Sequence, residues 1–136
     1  MTPAVMAALH RAGFTQSRPW TEAEFTGLLA VPSTFACGDA RGFALVRVGA
    51  DEAELLTLTT HPEHRRQGVA RALMDQWQAR ASAQGATRAF LEVAADNTPA
   101  LALYAQAGFQ RAGLRRAYYA RPQGIAADAV VMTRAL

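Results

Sequence analysis

Glu54-Leu55-Leu56-Thr57-Leu58-Thr59-Thr60-His61-Pro62-Glu63-His64-Arg65-Arg66-Gln67-Gly68-Val69-Ala70-Arg71 is the stretch that decides the fold. The run from Glu54 to Thr60 reads as a strand, and the polar, proline-containing segment after it as a loop. Gln67 or Gly68 then opens a helix whose apolar face is Val69, Leu73, Met74, Trp77 and Ala81. Gly85 stands where a left-handed cap belongs.

Downstream, Ala89-Phe90-Leu91-Glu92-Val93 is almost continuously apolar, which predicts a strand central in its sheet. Asn97-Thr98-Pro99 starts a helix through Leu101, Leu103 and Tyr104 that stops at Gly108. A strand from Phe109, an aromatic pair at Tyr118-Tyr119 and a final strand at Ala129-Val130-Val131-Met132 follow. Upstream, Thr34–Gly38 and Gly42–Val48 join Glu54–Thr60 as an antiparallel meander, with turns at Gly38-Asp39 and Gly49-Ala50-Asp51. Two short helices precede them, Pro3 to Gly13 and one opened by a Thr21/Glu24 capping box that ends near Ala30. The order ααβββαβαββ predicts an α/β fold with a mixed, largely antiparallel sheet flanked by helices.

The 136 residues fit a single domain spanning 1–136. With 51% hydrophobic and 18% charged residues, disorder is excluded as the default. No apolar run approaches the roughly 20 residues of a membrane span, and the start lacks the pattern of a signal peptide. The single cysteine, Cys37, rules out an internal disulfide framework. These features predict a soluble cytoplasmic protein with no membrane partner. All 14 basic residues are arginine, against 11 acidic ones, for a net charge of +3. They are scattered apart from Arg65-Arg66 and Arg115-Arg116, unlike the dense stripe of a nucleic-acid binder. Direct nucleic-acid binding is not required, whereas an anionic ligand is compatible with the balance.

The loop-to-helix junction is the first candidate site. Arg65-Arg66-Gln67-Gly68-Val69-Ala70 lies at a helix N-terminus, where free N–H groups and the positive dipole end suit a phosphate. No Gly-Lys-Ser/Thr follows, so it is not a P-loop. On spacing alone it reads either as an anion cradle or as an ordinary corner with a solvated Arg pair. Glu92 is the second candidate, because a carboxylate is out of pattern in an apolar strand. Partial desolvation there favours its neutral form and makes it a better base near neutrality. An edge residue with a solvated face is the alternative. Tyr104 lies one turn from Leu101 on the same face, where a tyrosine is ordinarily core.

The run Arg65-x-x-Gly68-x-Ala70 after a strand resembles the acetyl-CoA signature of the GNAT acetyltransferases. Leu91-Glu92-Val93, Asn97, Ala102-Leu103-Tyr104, Gly108-Phe109, Arg115-Arg116-Ala117-Tyr118-Tyr119 and Asp128-Ala129-Val130-Val131-Met132 follow in the order and spacing of its RimI branch. Pro19-Trp20 is similar to that branch's early Pro-Trp. The resemblance implies an acetyl-CoA-dependent N-acetyltransferase, with acetyl-CoA as co-substrate and no metal. Its acceptor would be a protein N-terminus, of the small-subunit ribosomal-protein type. It implies that backbone groups of Leu58, Thr59 and Thr60 pair with the pantetheine arm. Amides of Arg66, Gln67, Gly68, Val69, Ala70 and Arg71 would hold the pyrophosphate, and Asn97 would contact the cofactor. Glu92 would take the amine's proton directly or through water, Tyr104 would protonate the leaving thiolate, and Tyr118 and Tyr119 would line the acceptor lip.

An N-terminal acceptor makes the chemistry easier. An α-ammonium has a pKa of about 7.7–8.0, so roughly a tenth is neutral at pH 7, whereas a lysine near 10.4 is neutral in well under one part in a thousand. The gap of roughly 2.5 pKa units corresponds to about 3.5 kcal/mol. One carboxylate with a bridging water suffices for the easier case.

The chain departs from the family twice. Pro3 to Gly13 is helical where the family has a strand, so the sheet is expected to lack that first strand, with consequences for edge pairing. Ala70 replaces a glycine of the nearest branch, with little effect expected. Cys37 reads as a small buried thiol, and His61 and His64 lack a third metal ligand. His10 has no evident partner, and Trp20 and Trp77 read as core or lip hydrophobes. Arg115-Arg116 reads by default as a solvated face. Monomer and homodimer are both compatible with the sequence. Two other functions compete: transfer to a lysine or small amine, which peptide selectivity would separate, and a non-catalytic acyl-CoA or RNA-binding module, which would yield no acetylated product.

Overall fold

Two threonine caps open the chain. Thr2 Oγ1 accepts the Val5 N–H at 3.2 Å at the head of α1 (Pro3–Gly13). Ahead of α2 (Glu22–Leu29), Glu24 N–H donates to Thr21 Oγ1 and Thr21 N–H to Glu24 Oε1, which is the expected capping box. The computed structural model describes residues 1–15, 17–122 and 124–136.

β1 (Thr34–Asp39), β2 (Gly42–Gly49) and β3 (Glu52–Thr60) form the antiparallel meander. A 3₁₀ turn at Pro62–His64 leads into α3 (Val69–Ala83), which carries the chain over to β4 (Arg88–Ala94). That crossover makes β4 parallel to β3, the one parallel ladder among the described residues. α4 (Thr98–Gln106), β5 (Gln110–Tyr119) and β6 (Ala127–Ala135) complete the chain, with β6 inserted between β4 and β5. The sheet order is β1-β2-β3-β4-β6-β5, so β4 is central, as its apolar run predicts. Among the described residues no strand precedes α1, and β1 is an edge.

Helices cover both faces of the sheet. On one, α3 and α4 bury Leu73, Met74, Trp77 and Tyr104 against Val46, Leu55, Leu91 and Phe109. On the other, α1 and α2 bury Met6, Leu9 and Phe25 against Phe43 and Leu45. β2 serves both: Phe43 and Leu45 join one cluster while Ala44, Val46 and Val48 join the other. The close seating of α1 depends on Gly13, where a Cβ would overlap Thr59 Oγ1. Among the described residues no helix is long and apolar enough to cross a membrane.

Candidate active site

The site begins with an irregularity in β3. Leu55 pairs with Val46 of β2 and Thr57 with Leu45, so Leu56 is an extra, bulged residue. The bulge reverses which face the following side chains meet. Ala53 and Leu55 pack under α3 and α4, whereas Thr57 reaches His10 on α1. At the same point the β3–β4 ladder stops, its last pair being Leu55 with Leu91, although β3 runs on to Thr60 and β4 to Ala94. A fork therefore opens between two neighbouring strands. Leu58, Thr59 and Thr60 form one arm, paired to Ala44, Phe43 and Gly42 of β2 on one edge and to no strand on the other. The open edge offers backbone donors and acceptors to an extended amide-bearing ligand.

At the tip of that arm lies the α3 junction. Arg66 (φ 60°) and Gly68 (φ 79°) are both left-handed, which turns the chain sharply into the helix. Gly68 is the N-cap and supplies no side-chain cap. Ala72 N–H is the first to bond back, to Gly68 C=O at 3.0 Å, so the N–H groups of Val69, Ala70 and Arg71 have no helical acceptor. A Cβ on Gly68 would meet no atom within 4 Å, so there is room above these donors for an anion. Gln67 is held back against the preceding turn, its side chain bonding His64 Nδ1 (3.2 Å) and Glu63 C=O (3.4 Å). Exposed Arg65, Arg66 and Arg71 surround the junction. This geometry fits the pyrophosphate of a coenzyme A thioester. A shallow cavity of about 260 Å³ opens at this junction, between the start of α3 and the β1–β2 turn, lined by Asp39, Arg41, Gly68 and Gln76 among others.

Glu92 is the first β4 residue beyond the last β3 pair, and it pairs across to Val131 of β6. Leu91 and Val93 pack under α3 and α4, so strand alternation turns Glu92 to the opposite face. Its side chain is 17% exposed and meets Arg115 Nη2 at 3.1 Å. The Arg115 guanidinium is its ion-pair partner on that face. The default reading of Arg115 as solvated changes with it, since this side chain is half-exposed but paired.

Tyr104 lies on the other side of the fork, buried in the α3/α4 cluster and edge-to-face with Phe109 at 6.4 Å. Burial foremost, and the nearby Tyr119, push its phenol well above the usual tyrosine range, so it keeps its proton at neutral pH. Tyr119 is half-buried, and burial followed by the Glu92 charge pushes it up to about 12. Tyr119 therefore stands within electrostatic reach of both Glu92 and Tyr104. Tyr118 is exposed and packs edge-to-face on Tyr119 at 5.1 Å. A bulge in β5 between Arg115 and Tyr119 aims this pair. Ala117 takes a left-handed φ of 51° there, and its N–H donates to Asp128 Oδ1 at 2.8 Å. Asn97 is the N-cap of α4, its Oδ1 accepting the Ala100 N–H at 3.3 Å, so its amide NH₂ is what remains for a ligand.

The acetyltransferase (GNAT) family model matches residues 6–109 of this chain. The chain belongs to the GNAT acetyltransferase family. The [ribosomal protein bS18]-alanine N-acetyltransferase of Escherichia coli K12 is 34% identical over 131 residues, covering 93% of this chain and 87% of that protein. The N-alpha-acetyltransferase RimI of Mycobacterium tuberculosis is 38% identical, covering 94% of this chain and 83% of its own. The crystal structure of the Escherichia coli ribosomal-protein-S18-alanine N-acetyltransferase superposes with a TM-score of 0.87 at 28% identity, covering 98% of this chain and 86% of that one. The expected GNAT-like, RimI-like fold is thus borne out, and the chain is an acetyl-CoA-dependent N-acetyltransferase.

Four features of the site escape a reading of residue types along the chain. They are the Leu56 bulge, the Arg115–Glu92 pair, the Asp128 tie and His10. His10 is fully buried, takes the Trp20 N–H on Nδ1 (2.8 Å), and contacts Thr57 Oγ1 through Nε2 (3.0 Å). Because Nδ1 accepts, the proton sits on Nε2 and is donated to Thr57. Thus a neutral histidine on α1 is bonded to the segment of β3 just past the bulge.

Proposed function

We propose that this chain, acting as one domain over residues 1–136 in the cytoplasm, acetylates the α-amino group of a protein N-terminus, of the ribosomal-protein type. The observation that supports it best is the fork, with a carboxylate on one side of the sheet and a protonated phenol on the other. Leu58, Thr59 and Thr60 bind the pantetheine arm along the open edge of β3. The amides from Arg66 to Arg71 hold the pyrophosphate, and the Asn97 amide steadies the arm near β4. The bound thioester supplies an activated acetyl group.

Glu92 accepts a proton from the incoming α-ammonium, directly or through one water, freeing the nitrogen lone pair. The amine nitrogen forms the new C–N bond to the acetyl carbonyl carbon as the C–S bond breaks, and its second proton passes to solvent water, which leaves a neutral amide. Tyr104 gives its proton to the departing sulfur. A single carboxylate is adequate for an α-ammonium near pH 8 and poorly matched to a lysine about 2.5 pKa units higher. Tyr118 and Tyr119 flank the approach of the acceptor chain. Relatives of 34% and 38% identity named for alanine and N-alpha acetylation support the same acceptor class.

The test is mass spectrometry of peptides incubated with protein and acetyl-CoA. The panel is a free N-terminal Ala-Arg peptide, an N-blocked peptide with an internal lysine, and polyamines. Acetylation confined to the free α-amine is expected. Product only on lysine or polyamine would overturn the acceptor.

A further inference from the structure

Arg121 follows Tyr119 by two residues in the β5–β6 connection, and its side chain is only 10% exposed. Each of its guanidinium nitrogens is engaged. Nε and Nη2 form a fork on Asp96, at 3.2 and 2.7 Å. Nη1 donates to Ser17 Oγ at 3.0 Å and to Ala120 C=O at 3.3 Å. Asp96 belongs to the turn between β4 and α4, four residues beyond Glu92 and just before the α4 N-cap Asn97. Ser17 belongs to the connection between α1 and α2. One side chain therefore binds three connections together beside the end of β4 that carries Glu92. The guanidinium also lies 5.8 Å from the Tyr119 ring centroid.

We propose that Arg121 is a positioning residue for the acceptor: its clasp on Asp96 and Ser17 fixes the α1–α2 connection and the Tyr118-Tyr119 lip as the two walls between which the acceptor chain enters. This rests on the proposed peptide acceptor. Arginine suits the task because its planar fork makes two bonds to Asp96 and still reaches a third partner, which a lysine cannot do. The cofactor fork is bounded by β3, β4 and the α3 junction; of the proposed cofactor contacts only Asn97 adjoins the clasp, and Arg121 bonds its neighbour Asp96 while Asn97 is held by its own cap bond to Ala100. The clasp therefore bears on acceptor binding and not on acetyl-CoA binding.

The experiment compares wild type, Arg121→Met, Arg121→Lys and Asp96→Asn, with Arg47→Met as a control that breaks the remote Arg47–Glu54 pair. For each, acceptor KM and kcat, acetyl-CoA Kd by calorimetry, and amide hydrogen exchange at residues 17–21 and 118–122 are measured. Arg121→Met should raise the acceptor KM about tenfold, leave kcat within about twofold and leave acetyl-CoA Kd unchanged. Exchange should rise in both segments together. Arg121→Lys should recover only part of the KM, and Asp96→Asn should resemble Arg121→Met. A merely structural role would lower kcat and cofactor binding along with the folded fraction. An unchanged acceptor KM in a folded variant, or a parallel change in acetyl-CoA Kd, would overturn the proposal. If wild type acetylates no peptide, the acceptor reading fails by itself. Exchange then judges the clasp, and unaltered exchange in both segments would refute it.

Discussion

The two faces of the sheet are held by different chemistry. Under α3 and α4 the core is almost wholly apolar, built round Trp77, Leu73, Met74, Leu91 and Phe109. Under α1 and α2 the core is smaller and centres on a neutral histidine stacked on Phe14 at 3.8 Å and edged by Phe25. The first face stands behind the α3 junction. The second carries the connection that Arg121 clasps and depends on the protonation state of one ring. A transferase needs a firm seat for the cofactor and an entrance through which a polymeric acceptor can come and go, and the division between the faces matches that need.

The contrast can be broken from either side. Trp77 is fully buried, so Trp77→Ala should cost about 4 kcal/mol of stability through lost burial and a large cavity. Denaturant unfolding should show the fall in midpoint at every pH. A loss below about 1 kcal/mol would mean that the α3/α4 face is not the main support.

Acid should act on the other face. Burial foremost, with Arg18 assisting and Glu24 opposing, lowers His10 from 6.5 to about 4. The unfolded chain therefore takes up this proton first as the pH falls. The stability contributed by His10 is complete above pH 6.5 and is lost progressively down to about pH 4, about 3 kcal/mol in all. Roughly 2 kcal/mol should be gone by pH 5. Glu24, held down to about 2 by its bonds to Arg18 and Thr21, loses its own contribution only below about 4.5, so the two windows separate. Urea unfolding at pH 7.5 and pH 5 measures the loss. Hydrogen exchange should rise in α1 before α3, and equal rises in both would erase the distinction between the faces.

Much of this was legible in the sequence because it rests on local chemistry. The Thr21/Glu24 capping box, Gly68 at a helix start with no side-chain cap, Asn97 before Pro99 and the apolar run around Leu91 each announce their element through neighbours in the chain. What stayed hidden depends on register and on long-range placement. Whether Leu56 bulges is decided by how β3 pairs with β2. Arg115 meets Glu92 only because β6 is threaded between β4 and β5. Arg121 reaches Ser17 across 104 positions. His10, which had no partner by spacing, is joined to Thr57 across 47 positions. The candidate residues could therefore be named from the chain, whereas the fork that gives them a shared purpose could not.

The central claim is that Glu92 serves the acceptor while β3 and the α3 junction serve the cofactor. The most direct measurement is the turnover of Glu92→Gln on the free N-terminal peptide, with acetyl-CoA affinity measured on the same preparation. Turnover should fall about a hundredfold or more while acetyl-CoA Kd stays unchanged. Undiminished turnover would contradict the account.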